Sequence, residues 1–182
     1  MTNISYITSE VERLIKKHDT RNPLELCKAM DIQVRYKDLD NSIKAYFVVI
    51  SRIKNIVINN RIHSTVQRIL LAHELGHAVL HQEIALLRGF QELELFDTHD
   101  PTEYEANLFA AELLIEDCEL LELLNDSDKS FFGVARELYV PAELLDFKFR
   151  VMKKKGYRIE APYVSRSDFL KYDVHGCYDV EH

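Results

Sequence analysis

Near the start of the chain the apolar positions fall at helical spacing. Val11, Leu14 and Ile15 accompany Ser9 and Glu12, a capping-box pair, so a helix is expected to open at Ser9. Asn22-Pro23-Leu24-Glu25 carries the same message: an N-cap, a proline at the first helical position and an acid at the third. The period then changes. IQVRYKDL (32–39), SIKAYFVVIS (42–51) and NIVINN (55–60) are dense in Val, Ile, Tyr and Phe, as short strands are. The last two read as a hairpin turning between Arg52 and Asn55. Helical spacing returns after Ser64 and Gln67, and again after Asp100-Pro101-Thr102-Glu103. Past Leu124 a polar break, NDSDKS, leads into FFGVARELYVPAELLDFKFRVMKKKGY, two short helices divided at Val140-Pro141. The order helix, helix, small sheet, helix, helix is an α+β layout, mainly helical, with a three-stranded sheet expected to pack on the helix that follows Ser64. We divide the chain into a core over 1–125, a helical extension of the same domain over 126–156, and a tail over 157–182 with no structure predicted.

Composition narrows the class. At 182 residues, 47% hydrophobic and 29% charged, the chain is long enough for one domain with a real core. A net charge of -7 disfavours broad binding to nucleic acid or anionic membranes. Cys27, Cys118 and Cys177 are odd in number, far apart and form no CxxC pair, so neither a disulfide framework nor a cysteine zinc site is expected. The N-terminus turns charged before any signal-length apolar run, and no stretch is long enough to span a bilayer. A cytoplasmic location is the expectation.

The candidate chemistry sits in AHELGHAVLH, residues 72–81. On a helix, His73 and His77 project from one face, a turn apart, and can aim two imidazole nitrogens at one Zn²⁺ about 2.1 Å away. Glu74 is rotated by about 100°, beside the metal without having to ligate it, where a base for a metal-activated water belongs. The competing account is a packed core stripe of Val66, Ile69, Leu70, His73, His77 and Leu80. A full HExxH on a capped helix favours the metal. His81 lies roughly 12 Å along the axis from His73, too far to share the ion easily. It is expected to hydrogen bond to a ligand or to finish the helix.

A hydrolytic zinc site wants a third protein ligand. DPTEYEANLFAAELLIED, residues 100–117, offers Glu103 and Glu105. At about 100° per residue Glu105 shares a side with Glu112 and Glu116, an acidic face that reads as solvated. Glu103 falls with Ala106, Ala110 and Leu114 on the inward side, where a carboxylate is expensive unless paired or metal-bound. The alternative for Glu103 is a capping-box residue that serves Asp100.

Together, AHELGHAVLH and EYEANLFAAELLI resemble the ImmA/IrrE family of metallo-endopeptidases, in which an HExxH helix is followed by the pattern E-x-x-A-[N/D]-x-F-A-A-x-L-L. Glu103, Ala106, Asn107, Phe109, Ala110, Ala111, Leu113 and Leu114 match it. The likeness reaches upstream through NPLELCKAMDIQV and NIVINN, and loosely down to about residue 155. Ile115-Glu116 departs from it, standing where many relatives have Met-Pro. The resemblance implies a gluzincin-like peptidase core with one Zn²⁺ per chain on His73, His77 and Glu103, and Glu74 as catalytic base. His81, Asn107, Tyr104 and His99, with Arg88, are the candidates for supporting the ligands or the oxyanion of the reaction.

By the same resemblance the substrate is a helix-turn-helix repressor, cut at a specific site. The alternative is a non-catalytic zinc-containing regulator that binds a repressor without cleaving it. An edge of the sheet could take up an extended peptide along Ser42–Ser51, although that run reads more readily as a buried core strand. The basic run Lys148, Arg150, Lys153, Lys154 and Lys155 raises a DNA-binding helix-turn-helix; a solvated helix face is the preferred account, so direct DNA binding is not expected. His175, Cys177 and His182 have no recognised metal spacing and read as part of a mobile tail.

Overall fold

The computed structural model describes residues 3–82, 101–125 and 130–159. Among these are seven helices, one more than predicted, and one three-stranded mixed sheet, the mainly helical α+β layout expected. Helix α1 (Ile4–His18) begins earlier than expected. Its cap is Asn3, whose Oδ1 accepts from the Tyr6 N–H at 3.1 Å. Ser9 lies inside the helix, its hydroxyl donating back to the Tyr6 carbonyl at 2.7 Å. Helix α2 (Pro23–Ala29) opens as predicted, the Leu24 N–H donating to Asn22 Oδ1 at 2.9 Å. These helices bury Ile7, Val11, Leu14, Leu26 and Cys27. Burial pushes the Cys27 thiol up to about 12, and neither Cys27 nor Cys118 is in a disulfide.

Strands β1 (Gln33–Lys37), β2 (Ala45–Ile50) and β3 (Ile53–Asn59) form a sheet of order β1-β3-β2, with β1 parallel and β2 antiparallel to β3. The hairpin turns tighter than predicted. Ser51 and Arg52, with φ of 50° and 69°, make a two-residue turn between paired Ile50 and Ile53, so β3 starts before the apolar run does. The Ser42–Ser51 run is not the core strand it resembled. The central strand is β3, buried from Asn55 to Asn59, whereas β2 is a half-buried edge.

Helix α3 (Ser64–Leu80) lies between this sheet and helix α4 (Pro101–Leu114). Its cap is His63, one residue before the Ser64 expected, with Nδ1 accepting from the Thr65 N–H at 3.3 Å. Covered on both sides, α3 is buried nearly all round from Ile69 to Gly76 rather than along one stripe. At Gly76 the two helices approach closely: a Cβ there would lie 3.2 Å from Ala106 Cα and from Phe109. Helix α4 stops at Ile115-Glu116, where Glu116 turns extended (φ -77°, ψ 139°) and starts α5 (Asp117–Leu124). The departure from Met-Pro therefore leaves the helix end in place. Helices α6 (Phe131–Glu137) and α7 (Ala142–Lys154) divide at Val140-Pro141 as expected, and α7 packs on α4.

The charges on α4 and α7 fall differently from the sequence reading. Glu112 is buried, not solvated, and Lys148 is fully buried against it. Lys148 Nζ meets Glu112 Oε2 at 2.6 Å and Asp117 Oδ1 at 2.5 Å; Lys155 Nζ meets Glu112 Oε1 at 2.5 Å and Asp117 Oδ2 at 2.9 Å. Arg150 pairs with Asp146 one turn back at 2.6 Å. Three of the five basic residues are thus paired with carboxylates, Lys148 buried and Lys155 at the surface, while Lys153 and Lys154 are exposed. No helix among the described residues is long and apolar enough to cross a membrane.

Candidate metal centre

Three side chains predicted from the sequence converge. His73 and His77 present Nε2 atoms 3.1 Å apart. Glu103, on α4, places Oε2 3.4 Å from His73 Nε2 and Oε1 3.5 Å from His77 Nε2. Among the described residues these three form a group able to hold a metal ion, their ligating atoms within 4.8 Å of one another. Atoms about 2.1 Å from one tetrahedral ion stand about 3.4 Å apart, so the spacing and the donor set both fit. Asp100, which Glu103 would have capped, lies outside the described residues; the Glu103 carboxylate faces the histidines, and only 5% of the residue is exposed.

The charges are unequal. Burial alone would raise the Glu103 carboxyl, yet the hydrogen bond from His73 and the closeness of the His77 ring hold it far below its usual range, as a carboxylate. Burial would lower His73, but its hydrogen bond to Glu103 and the charge of that carboxylate carry it above its usual value. For His77 burial wins: it falls to about 4, with the neighbouring His73 and His81 adding to the effect and Glu103 opposing it. A neutral His77 is the form that can bind a metal.

Glu74 stands beside this group, 7% exposed. Burial raises its carboxyl to about 7, Glu103 adds to the rise, and His73 together with the donated Phe47 backbone N–H works against it. That hydrogen bond ties Glu74 to β2. The Asn59 N–H donates to the Lys44 carbonyl at 2.8 Å, so alternation turns the amides of Tyr46, Val48 and Ile50 toward β3. Ala45, Phe47 and Val49 then turn theirs to the open edge, next to Glu74.

The supporting candidates separate. Asn107 is fully buried, with Oδ1 2.9 Å from His73 Nδ1. His81 Nδ1 lies 3.2 Å from His77 Nδ1, and its Nε2 lies 3.0 Å from Glu105 Oε2. Tyr104 goes elsewhere: one residue past Glu103 it is rotated onto α7, against Phe147 at 5.4 Å and hydrogen bonded to Arg150. His99 and Arg88 lie outside the described residues, as do His175, Cys177 and His182. Glu105 is the residue the sequence reading missed. Helical phase put it on a solvated face, but the end of α3 covers part of that face with His81.

Residues 27–150 match the profile of a peptidase family described as the IrrE N-terminal-like domain. The chain belongs to that family. It is 37% identical to "Uncharacterized immunity region protein 2" of Bacillus phage phi105 over 142 residues, 78% of this chain and 88% of that protein. It is 27% identical to "Metallopeptidase ImmA" of Bacillus subtilis (strain 168) over 173 residues, 87% of this chain and 93% of the relative. Family and relative together support a metallopeptidase, and a metallopeptidase implies a metal ion.

Proposed function

We propose that this protein is a zinc-dependent endopeptidase in which His73, His77 and Glu103 hold the ion and Glu74 is the catalytic base. The observation that carries the proposal is the meeting of two Nε2 atoms and one buried carboxylate, with a second buried carboxylate alongside. Two imidazoles and a carboxylate suit zinc among the divalent ions. Bound there, zinc would supply Lewis acidity to a water and to the scissile carbonyl. Glu74, buried beside the ion's ligands, takes the proton of the attacking water on its carboxylate and returns it to the leaving amine. The open edge of β2 receives the substrate as an added antiparallel strand, which favours an extended or locally opened segment. Residues 1–125 are the peptidase core. Residues 126–156 extend the same domain, since Lys148 and Lys155 share their carboxylates with α4 and α5.

The substrate we infer is a helix-turn-helix repressor of a mobile element or stress response, in keeping with the immunity-region and ImmA names of the relatives. A regulator that only binds a repressor would have no use for a buried base beside the ion. The test is metal content by mass spectrometry of wild type, His77→Ala and Glu103→Ala, then incubation of a candidate helix-turn-helix repressor with wild type and Glu74→Gln. One zinc per wild-type chain, its loss in the first two variants, and cleavage by wild type alone are the expected results. A folded wild type that takes up no zinc overturns the proposal.

A further inference from the structure

His81 stands at the C-cap of α3, 8% exposed, and touches the metal site only through another histidine. Its two ring nitrogens are both engaged, and for a neutral ring that determines the direction of each hydrogen bond. A carboxylate only accepts, so the 3.0 Å contact with Glu105 Oε2 requires the hydrogen on His81 Nε2. A neutral imidazole carries one hydrogen, so His81 Nδ1 is an acceptor. The 3.2 Å contact between the Nδ1 atoms of His81 and His77 must then be made by a hydrogen on His77 Nδ1. That leaves His77 Nε2 bare, and this is the nitrogen that faces His73 and Glu103.

We infer that Glu105 and His81 form a one-way hydrogen-bond relay that holds His77 in the tautomer presenting Nε2 to the metal. The inference rests on reading His77 as a ligand. It makes Glu105 and His81 positioning residues, acting through His77 and not on the substrate. His73 has its own, shorter arrangement in Asn107. Helix α4 thereby supplies the third ligand and the anchors of both histidines, through Glu103, Asn107 and Glu105. Anchors of this kind typically alter metal affinity by about 10–100-fold.

The test is zinc affinity by competition with a chromophoric chelator for wild type, Glu105→Ala, Glu105→Gln, His81→Phe, the double variant Glu105→Ala/His81→Phe, and Glu116→Ala as an exposed acidic control. A relay in series predicts a loss of about 10–100-fold in each single alanine or phenylalanine variant. It also predicts a double variant no weaker than the worse single, partial rescue in Glu105→Gln, and no change in Glu116→Ala. Cobalt-loaded Glu105→Ala should show a shifted visible spectrum, reporting a reoriented ligand ring. Nitrogen NMR of the metal-free wild type, which needs no variant to fold, should find His77 protonated on Nδ1 and His81 on Nε2. Wild-type affinity in Glu105→Ala and His81→Phe, or the opposite tautomers, overturns the relay while leaving the ligands assigned. A wild type whose zinc affinity is insensitive to His77→Ala overturns the ligand assignment and the relay with it.

Discussion

Asn107 accepts a hydrogen bond from His73 at 2.9 Å and stands one helical turn after Glu103 on α4. One helix thus delivers a candidate ligand and orients another on the helix opposite. Asn107→Ala is expected to weaken zinc binding by about 10–100-fold, because His73 loses the group that keeps its hydrogen on Nδ1. It should also cost about 1–3 kcal/mol of stability through an unsatisfied buried N–H. Asn107→Asp retains an acceptor and should keep most of the affinity. Chelator competition and urea melts of the three proteins measure both effects.

Glu74 sets function against stability. Its carboxyl titrates near 7 in the fold, against an ordinary value of 4.5. In the metal-free protein the folded state therefore binds the proton more tightly than the unfolded chain. Stability falls as pH rises from 4.5 to about 7, and the whole loss is present above that window. It amounts to about 3 kcal/mol. Glu74→Gln removes the buried charge while keeping an oxygen for the Phe47 N–H. The metal-free variant should be more stable than wild type at pH 8 by about 2–3 kcal/mol, with no advantage left at pH 4.5. Its cleavage rate should fall by about 10²–10⁴-fold. Denaturant melts at the two pH values decide the first point, and a repressor cleavage assay the second.

At Gly76 the helix of the two histidines closely approaches the helix of Glu103. A larger side chain meets Ala106 Cα, which is backbone and has little room to give. Gly76→Val is expected to cost about 1–3 kcal/mol by overpacking, and to lower zinc affinity as α4 is pushed from α3. A thermal shift on adding zinc, smaller in the variant than in wild type, would register the second effect. An equal shift would mean that the site tolerates the displacement.

Lys148 is the buried centre of the ion-pair cluster joining α4, α5 and α7. Lys148→Met leaves Glu112 with one cation in place of two and should cost about 3–5 kcal/mol. Pairing it with Glu112→Leu should cost less than the two single changes together, the mark of coupled partners. Equilibrium unfolding of the four proteins completes the cycle.

Several of these relationships were legible in the chain itself. The four-residue spacing of His73 and His77 needs only a helix to put both rings on one face. The inward aim of Glu103 followed from its phase with Ala106 and Ala110, and Asn22-Pro23 and Pro101 marked helix starts correctly. These are local properties, settled within a few turns of backbone. The misplaced starts at Ser9 and Ser64 have the same origin, since Asn3 and His63 serve equally well as caps and no apolar spacing distinguishes them.

What periodicity within one element does not contain is the identity of the element packed against it. Glu105 and Glu112 share a face whose spacing looks solvated, yet His81 covers one and Lys148 the other. Lys148 on α7 and Lys155 at its C-cap stand two turns apart, a spacing that could have matched them to a pair of carboxylates, but only packing chooses which pair. Tyr104, next to Glu103 on the same helix, packs against Phe147 and Arg150 of α7. The order of the strands, which makes β2 an edge beside Glu74, is a choice among pairings that all bury the same apolar residues. The sequence by itself determined the kind of chemistry and the helices that carry it. The tertiary structure decided which groups touch the candidate ligands and which strand edge is left open, because both depend on neighbours distant in the chain.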